Sequence, residues 1–177
     1  MSSVFLYFPG GPLSTAELSA ACLDGHLVGL GEGYVPADTV ETASLRAASL
    51  RSLAGVHLAA ILDSAAWVHG ALDEPPVRHR LQRASDRRLH EPIGRRFVYR
   101  DPRIPDADLR RVGGVAVTTV PRTVADLARS GTPEHRGVLE RFDRDALASG
   151  VRWLDASRRV PHKHAALRTL AEILRTR

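Results

Sequence analysis

The chain of 177 residues has one cysteine, Cys22, one lysine, Lys163, and no asparagine. A single thiol cannot form a disulfide within the chain, which fits a reducing compartment. At this length roughly two-thirds of the unfolded surface can be buried, so disulfide staples are not required. No apolar run approaches the ~20 residues of a membrane-spanning helix. No basic segment followed by a long apolar one opens the sequence, so no secretory signal is expected. These absences predict a cytoplasmic protein without membrane contact. The sequence also lacks a G-x-S-x-G elbow, a P-loop and a dinucleotide fingerprint. It predicts neither an enzyme nor a bound cofactor.

What is present is the mixture of a soluble globular protein, 44% hydrophobic and 25% charged, which argues against wholesale disorder. The basic residues are almost all arginine. Ala, Arg, Val and Leu dominate, as G+C-rich codon usage produces, so arginine abundance alone does not argue for nucleic-acid binding. The placement of charge is more informative. Residues 1–45 contain no Lys or Arg and carry Glu17, Asp24, Glu32, Asp38 and Glu41, a net of −5. Residues 78–111 hold eleven arginines against five acids, a net of +6, and residues 112–177 twelve basic groups against seven acids, a net of +5. The basic field belongs to the middle and end of the chain.

Local patterns predict an α+β fold with a winged-helix-like N-terminal module, a mixed strand–helix core and a helical tail. Ser14-Thr15-Ala16-Glu17 is a capping box that starts a helix through about Leu23. Residues 26–30 and 34–36, joined by Gly31-Glu32-Gly33, read as a hairpin. A short helix followed by a hairpin is the last part of a winged helix. Residues 41–53 read as a second helix, closed by Gly55. Residues 56–62 read as strand or helix. Asp63 or Ser64 can cap a short helix over 65–69, stopped by Gly70. Residues 77–81 alternate as a strand with a wet, basic face, and residues 97–99 and 115–118 read as further strands. Residues 84–94 and 101–108 read as loops. Pro121 opens a helix with Val124, Leu127 and Ala128 on its apolar stripe. Thr132-Pro133-Glu134 starts another, with Leu139, Phe142 and Ala146 on one face before Gly150. Leu167, Leu170, Ala171 and Leu174 form a last apolar stripe. The domain boundaries expected from this reading are 1–53, 54–130 and 131–177.

Candidate chemistry is sparse. Cys22 falls on the apolar side of a small helix and reads as a core thiol. His162 and His164 are two apart and diverge by about 200° on a helix, so no metal site is expected. Asp101, Asp106 and Asp108 read as solvated loop acids. Gly113-Gly114 reads as a turn. Arg78, Arg80, Arg83, Arg87 and Arg88 form the densest basic stretch, either a phosphate-contacting surface or a solvated strand face.

Three segments carry a resemblance. Ser64-Ala65-Ala66-Trp67-Val68-His69-Gly70, then the basic strand, then Thr119-Val120-Pro121-Arg122-Thr123-Val124-Ala125-Asp126-Leu127-Ala128-Arg129 resemble the small-aromatic-HG segment and the T-x-x-R-T-x-x-D-L-A-R motif of the AbiEi antitoxins of type IV toxin–antitoxin systems. The run from Leu23 to Pro36 is similar to the wing of that family. The resemblance covers about residues 14–130. It implies an N-terminal winged helix that binds operator DNA and represses its operon. It also implies a C-terminal domain that counteracts a nucleotidyltransferase-like toxin, and no enzymatic activity. Two features depart from the family pattern. The winged helix is expected to be truncated, with about a dozen residues before the capping box. The wing has Gly29-Leu30-Gly31-Glu32 where relatives carry basic residues. The expected function is therefore antitoxin and autoregulator, with a protein–protein module that no longer binds DNA as the alternative. Any nucleic-acid contact is expected from the arginines of 78–111. Trp67, His69, Gly70, Thr119, Arg122 and Asp126 are expected to be structural. Arg122 and Asp126 lie four apart on one helix, so an ion pair accounts for both. Trp67 is expected to fill the core, and Gly70 to end a helix.

Overall fold

The computed structural model describes residues 6–87 and 97–176 and is a mixed α+β fold. Helix α1 (Thr15–Leu23) begins on the Ser14 capping box. The Glu17 amide donates to Ser14 Oγ at 3.3 Å, and the Ser14 amide donates to the Glu17 carboxylate at 2.8 Å. That backbone bond, with the Ser14 hydroxyl, holds the Glu17 carboxyl below its usual range. Strands β1 (Leu27–Leu30) and β2 (Gly33–Pro36) form the antiparallel hairpin, and Tyr7 bridges to Tyr34 along its edge. Gly31, in the turn, has φ 56°, and a Cβ there would strike the Ser49 hydroxyl and crowd the Trp67 ring. The turn therefore presses its backbone onto the core, which only glycine permits.

The helix predicted over 41–53 is two helices, α2 (Ala43–Ser49) and α3 (Arg51–Ala54), broken at Leu50. Thr42 Oγ1 accepts from the Leu45 amide at 3.2 Å, so the first one starts at a cap inside the predicted span. Leu50 is fully buried at the break, which turns the chain so that both short helices lie on one core.

Strand β3 (Leu58–Ala60) resolves the ambiguity of the apolar run in favour of strand. It is followed by α4 (Leu62–Val68), β4 (His79–Arg83) and β5 (Phe97–Arg100). After a 3-10 turn at Asp106–Asp108 come β6 (Leu109–Val112) and β7 (Val115–Thr118). The five strands order as β5-β4-β3-β7-β6. β3 runs antiparallel to β4 and parallel to β7, β4 runs parallel to β5, and β6 closes an antiparallel hairpin with β7. The basic strand is thus 79–83 rather than 77–81, and Val77 is fully exposed. Residues 109–112 carry no strong local strand signal. Yet Gly113 and Gly114, both at positive φ, join Val112 to its partner Val115, the backbone a two-residue hairpin turn demands.

Alternation along the strands separates two cores. Leu58, Ala60, Leu81, Val115 and Val117 face Trp67, α2, α3 and the hairpin residues Leu30 and Val35. Ala59 and Ala116 face the C-terminal helices. α5 (Val120–Ser130) lies at the centre of that second layer, packed along α7 (Arg144–Ala156) and α8 (Lys163–Arg175), with α6 (Pro133–Leu139) at its end. The helix read from Thr132 toward Gly150 is divided. α6 ends at Leu139, Phe142 is buried in the connection, and Asp143 accepts from the Ala146 amide at 2.7 Å to start α7. Gly150 does not end a helix. It lies within α7, where a Cβ would collide with Val124 of α5. On α8 the buried face is Ala166, Leu170 and Ile173, while Ala171 of the predicted stripe is exposed. No described helix is long and apolar enough to cross a membrane.

Candidate functional site

The two motifs meet at the C-terminal ends of β7 and α4. Trp67 is fully buried near the end of α4, 5.6 Å beneath the Arg46 guanidinium. Its indole N–H is buried and has no hydrogen-bond partner among the described residues. His69 follows as the C-cap, and Gly70 takes φ 86° to leave the helix. The His69 ring then reaches across to β7, where Nε2 donates to the Thr118 carbonyl at 2.7 Å. Burial lowers the His69 pKa, partly opposed by that bond, so the ring is held neutral. Thr118 and Thr123 join their hydroxyls at 2.7 Å, and the Thr123 amide donates to the carbonyl of Thr119, the residue that opens α5. One hydrogen bond thus couples residues 49 positions apart, and a buried threonine pair carries it into α5.

Below this, Arg122 is clamped between two carboxylates. It donates through Nε to Asp126 and through a terminal nitrogen to Asp108, each at 2.7 Å. Asp126 also accepts from Arg129 at 2.7 Å, and Asp108 from the Trp153 indole at 2.7 Å. The Arg122 guanidinium stacks 5.1 Å from the Trp153 ring. Burial disfavours the Arg122 charge, but Asp126 and then Asp108 reverse the effect, and its pKa is raised. Asp108 is buried, so it is not the solvated loop acid the sequence suggested, whereas Asp101 and Asp106 are exposed. No local spacing rule reveals Asp108 and Trp153, because their contacts cross 14 and 45 positions.

The basic stretch is less uniform than its sequence. Arg80 pairs with Asp63 at 3.1 Å. Arg83 donates to the Asp101 carbonyl at 2.8 Å and lies near its carboxylate, with its side chain 13% exposed. Arg78 is exposed and donates to the Phe97 carbonyl, and Arg87 is exposed. Arg88 lies outside the described residues. Arg80 and Arg83 lie on β4 and are engaged by carboxylates, while Arg78 stands just before the strand.

Asp63 and Ser64 sit inside the first turn of α4 rather than capping it. Ile61 is the N-cap and makes no side-chain cap bond. Ser64 Oγ instead accepts from the Arg80 amide at 2.8 Å and lies 3.1 Å from His79 Nδ1. Burial lowers the His79 pKa. Both side chains are shut away from solvent, so this serine–histidine contact ties α4 to β4 and is not a nucleophile facing a substrate. His162 and His164 do not share a helix face, because His162 stands before α8 in the left-handed region at φ 60°. Among the described residues there is no group of three or more metal-ligating side chains.

The AbiEi antitoxin C-terminal domain matches residues 58–148, just over half of the chain. That span runs from β3 into α7 and includes Arg122, Asp126, Asp108 and His69. Comparison with curated proteins gives no match. Among solved structures, the crystal structure of the RV2827C protein from Mycobacterium tuberculosis is similar at 17% identity and a TM-score of 0.48, over 94% of this chain and 66% of that one.

Proposed function

The chain belongs to the AbiEi antitoxin family, and on that premise we propose that it is the antitoxin and transcriptional autoregulator of a type IV toxin–antitoxin operon, counteracting a nucleotidyltransferase-like toxin. The observation that carries the antitoxin half is the family domain itself, whose motif residues form one largely buried network from His69 to Arg129, joined where the Thr119 amide donates to the Asp108 carbonyl. The family is not a known enzyme family, and we read the site as structural and non-catalytic. In this reading residues 54–130 form the antitoxin core, with 1–53 and 131–177 as its accessories. Operator DNA is contacted through phosphates, to which the exposed Arg78 and Arg87 of the basic stretch contribute. A second reading, a protein–protein module that no longer binds DNA, is favoured by one observation. Residues 1–45, which hold the helix–hairpin, have a net charge of −5 and would repel a duplex.

Co-expression tests the antitoxin half. The toxin encoded beside the chain should arrest growth, and the full chain should restore it. Continued arrest with folded, abundant protein would remove the antitoxin assignment. A reporter fused to the chain's own promoter tests autoregulation, since the protein–protein reading predicts rescue without repression.

A further inference from the structure

We propose that the connection between α7 and α8, with the solvent face of α8, is a phosphate-contacting surface for duplex DNA. The proposal rests on the regulator half of the function above and adds where the duplex is held.

Among the described residues most guanidinium groups are already engaged, Arg87, Arg100 and Arg110 being scattered exposed exceptions. Ion pairs take up arginines from Arg46 on α2 to Arg141 before α7, and others donate to carbonyls. The α7–α8 region differs. Between Asp155 and Glu172 stand Arg158, Arg159, Lys163 and Arg168 and no acidic residue. Glu172 itself accepts from Arg136 at 3.0 Å. Arg158, Arg159 and Arg168 are exposed and make no ion pair or side-chain hydrogen bond among the described residues. Arg152, exposed on α7 just before the connection, is likewise unpaired. Unneutralised arginines are what a polyanion displaces counterions to reach, whereas paired ones have little left to offer.

Shape and support agree with the charge. Residues 158–165 line an open groove of about 470 Å³. Its floor is tied down by Lys163, whose ammonium donates to the carbonyls of Asp155 and Ser157 at 3.1 and 2.9 Å. Its rim is tied to the motif helix, because Arg129, held by Asp126, donates to the Pro161 carbonyl at 2.9 Å. Thus the network that orders α5 also fixes the basic connection. His164 and Arg168, four apart on α8, continue the exposed row away from the groove. Residues 154–176 contain no Phe, Tyr or Trp, so the connection and α8 offer no aromatic side chain on which unpaired bases could stack. That composition suits a duplex backbone rather than a single strand.

The test is fluorescence anisotropy of the full chain against a labelled duplex of its own promoter, a scrambled duplex and a duplex RNA, across several salt concentrations. Each lost phosphate contact flattens the log–log salt slope by about 0.9. The variant R158Q/R159Q/R168Q should therefore flatten it by about 2 to 3 on promoter DNA and bind more weakly. All three side chains are exposed, so its thermal unfolding should match wild type and a folding defect would be seen separately. R78Q/R87Q serves as the comparison at the basic strand. If wild type binds the promoter and the triple variant keeps its affinity and slope, the inference falls while the regulator reading stands. If promoter and scrambled duplexes bind alike but the triple variant loses both, the surface stands and autoregulation loses its support. Binding to duplex RNA in preference to DNA overturns the inference, and so does failure of wild type to bind any duplex at low salt, which also removes the regulator reading. Rescue from the toxin is scored independently in every case.

Discussion

The layers on the two faces of the sheet, residues 6–54 and residues 120–176, both cover it with helices but carry charge in opposite ways. In the first, Arg46 and Arg51 are the only cations; Arg46 turns inward, while Arg51 is exposed and donates to the Gly113 carbonyl. Arg46 binds Glu41 and the carbonyls of Trp67 and Leu72, at 2.7 to 2.9 Å, so it joins the layer to the core. In the second, arginine does two jobs. Arg122, Arg129 and Arg136 are consumed in ion pairs, while Arg158, Arg159 and Arg168 face solvent. The density of arginine in sequence does not separate these roles. What separates them is whether a carboxylate lies within about 3 Å: Asp126 on the same helix serves Arg122 and Arg129, while Asp108 and Glu172 reach Arg122 and Arg136 from other elements.

The largest expected effect breaks the second layer at its centre. Arg122→Ala leaves Asp108 and Asp126 buried without the cation between them. Removing one side of a buried pair costs about 3–5 kcal/mol, and here two carboxylates lose that cation, Asp126 keeping Arg129 and Asp108 only the Trp153 indole. Asp126→Ala should cost less, because Arg122 keeps Asp108 and Arg129 keeps the Pro161 carbonyl. Urea unfolding of both variants checks the order. If Asp126→Ala left stability unchanged but abolished rescue from the toxin, the network would be a functional contact instead of a clamp.

A second effect, about 1–3 kcal/mol, is expected from Gly150→Ala. Helix propensity alone would make this change stabilising by about 1 kcal/mol. The added Cβ would meet Val124 of α5, so packing should reverse the sign. A raised melting temperature would show that α7 and α5 can part slightly without loss.

Acid should weaken both layers together. His69, on the sheet's α4 side, and His135, buried at α6, have pKa values lowered mainly by burial, as does His79. Their folded values lie below the unfolded reference of 6.5, so the native state binds fewer protons. Stability is then full above about pH 6.5 and falls as pH drops below it. Melting temperatures measured from pH 7.5 to 5 should decline, and His69→Gln should reduce the slope. A flat profile would mean these rings do not control the pH response.

Much of the fold was readable from local rules, because its signals are local. Ser14 and Glu17 specify α1, the glycines of 31–33 specify the hairpin, and Thr132 specifies α6. The failures share a cause. Gly150 reads as a stop, but its role is set by Val124, a neighbour in space. Asp108 reads as a wet loop acid, but Arg122 and Trp153 close over it. The arginines of 78–88 read as one surface, but Asp63 and Asp101 divide them. The motif Thr119–Arg129 announces that Arg122 and Asp126 meet, and it says nothing of the third and fourth members.

The smallest effect sharpens the contrast from the other side. In helix α1 only Leu18 is fully buried and Ala21 and Cys22 are half-buried, and its start depends on the Ser14–Glu17 exchange. Ser14→Ala removes the acceptor for the Glu17 amide and should cost about 0.5–2 kcal/mol. The change lies far from the α5 network, so it should add to Arg122→Ala without coupling. Hydrogen exchange would then show faster opening of α1 amides alone, with the α5 amides unchanged. A global loss matching Arg122→Ala would instead mean that the helix–hairpin is built into the same cooperative unit as the buried clamp.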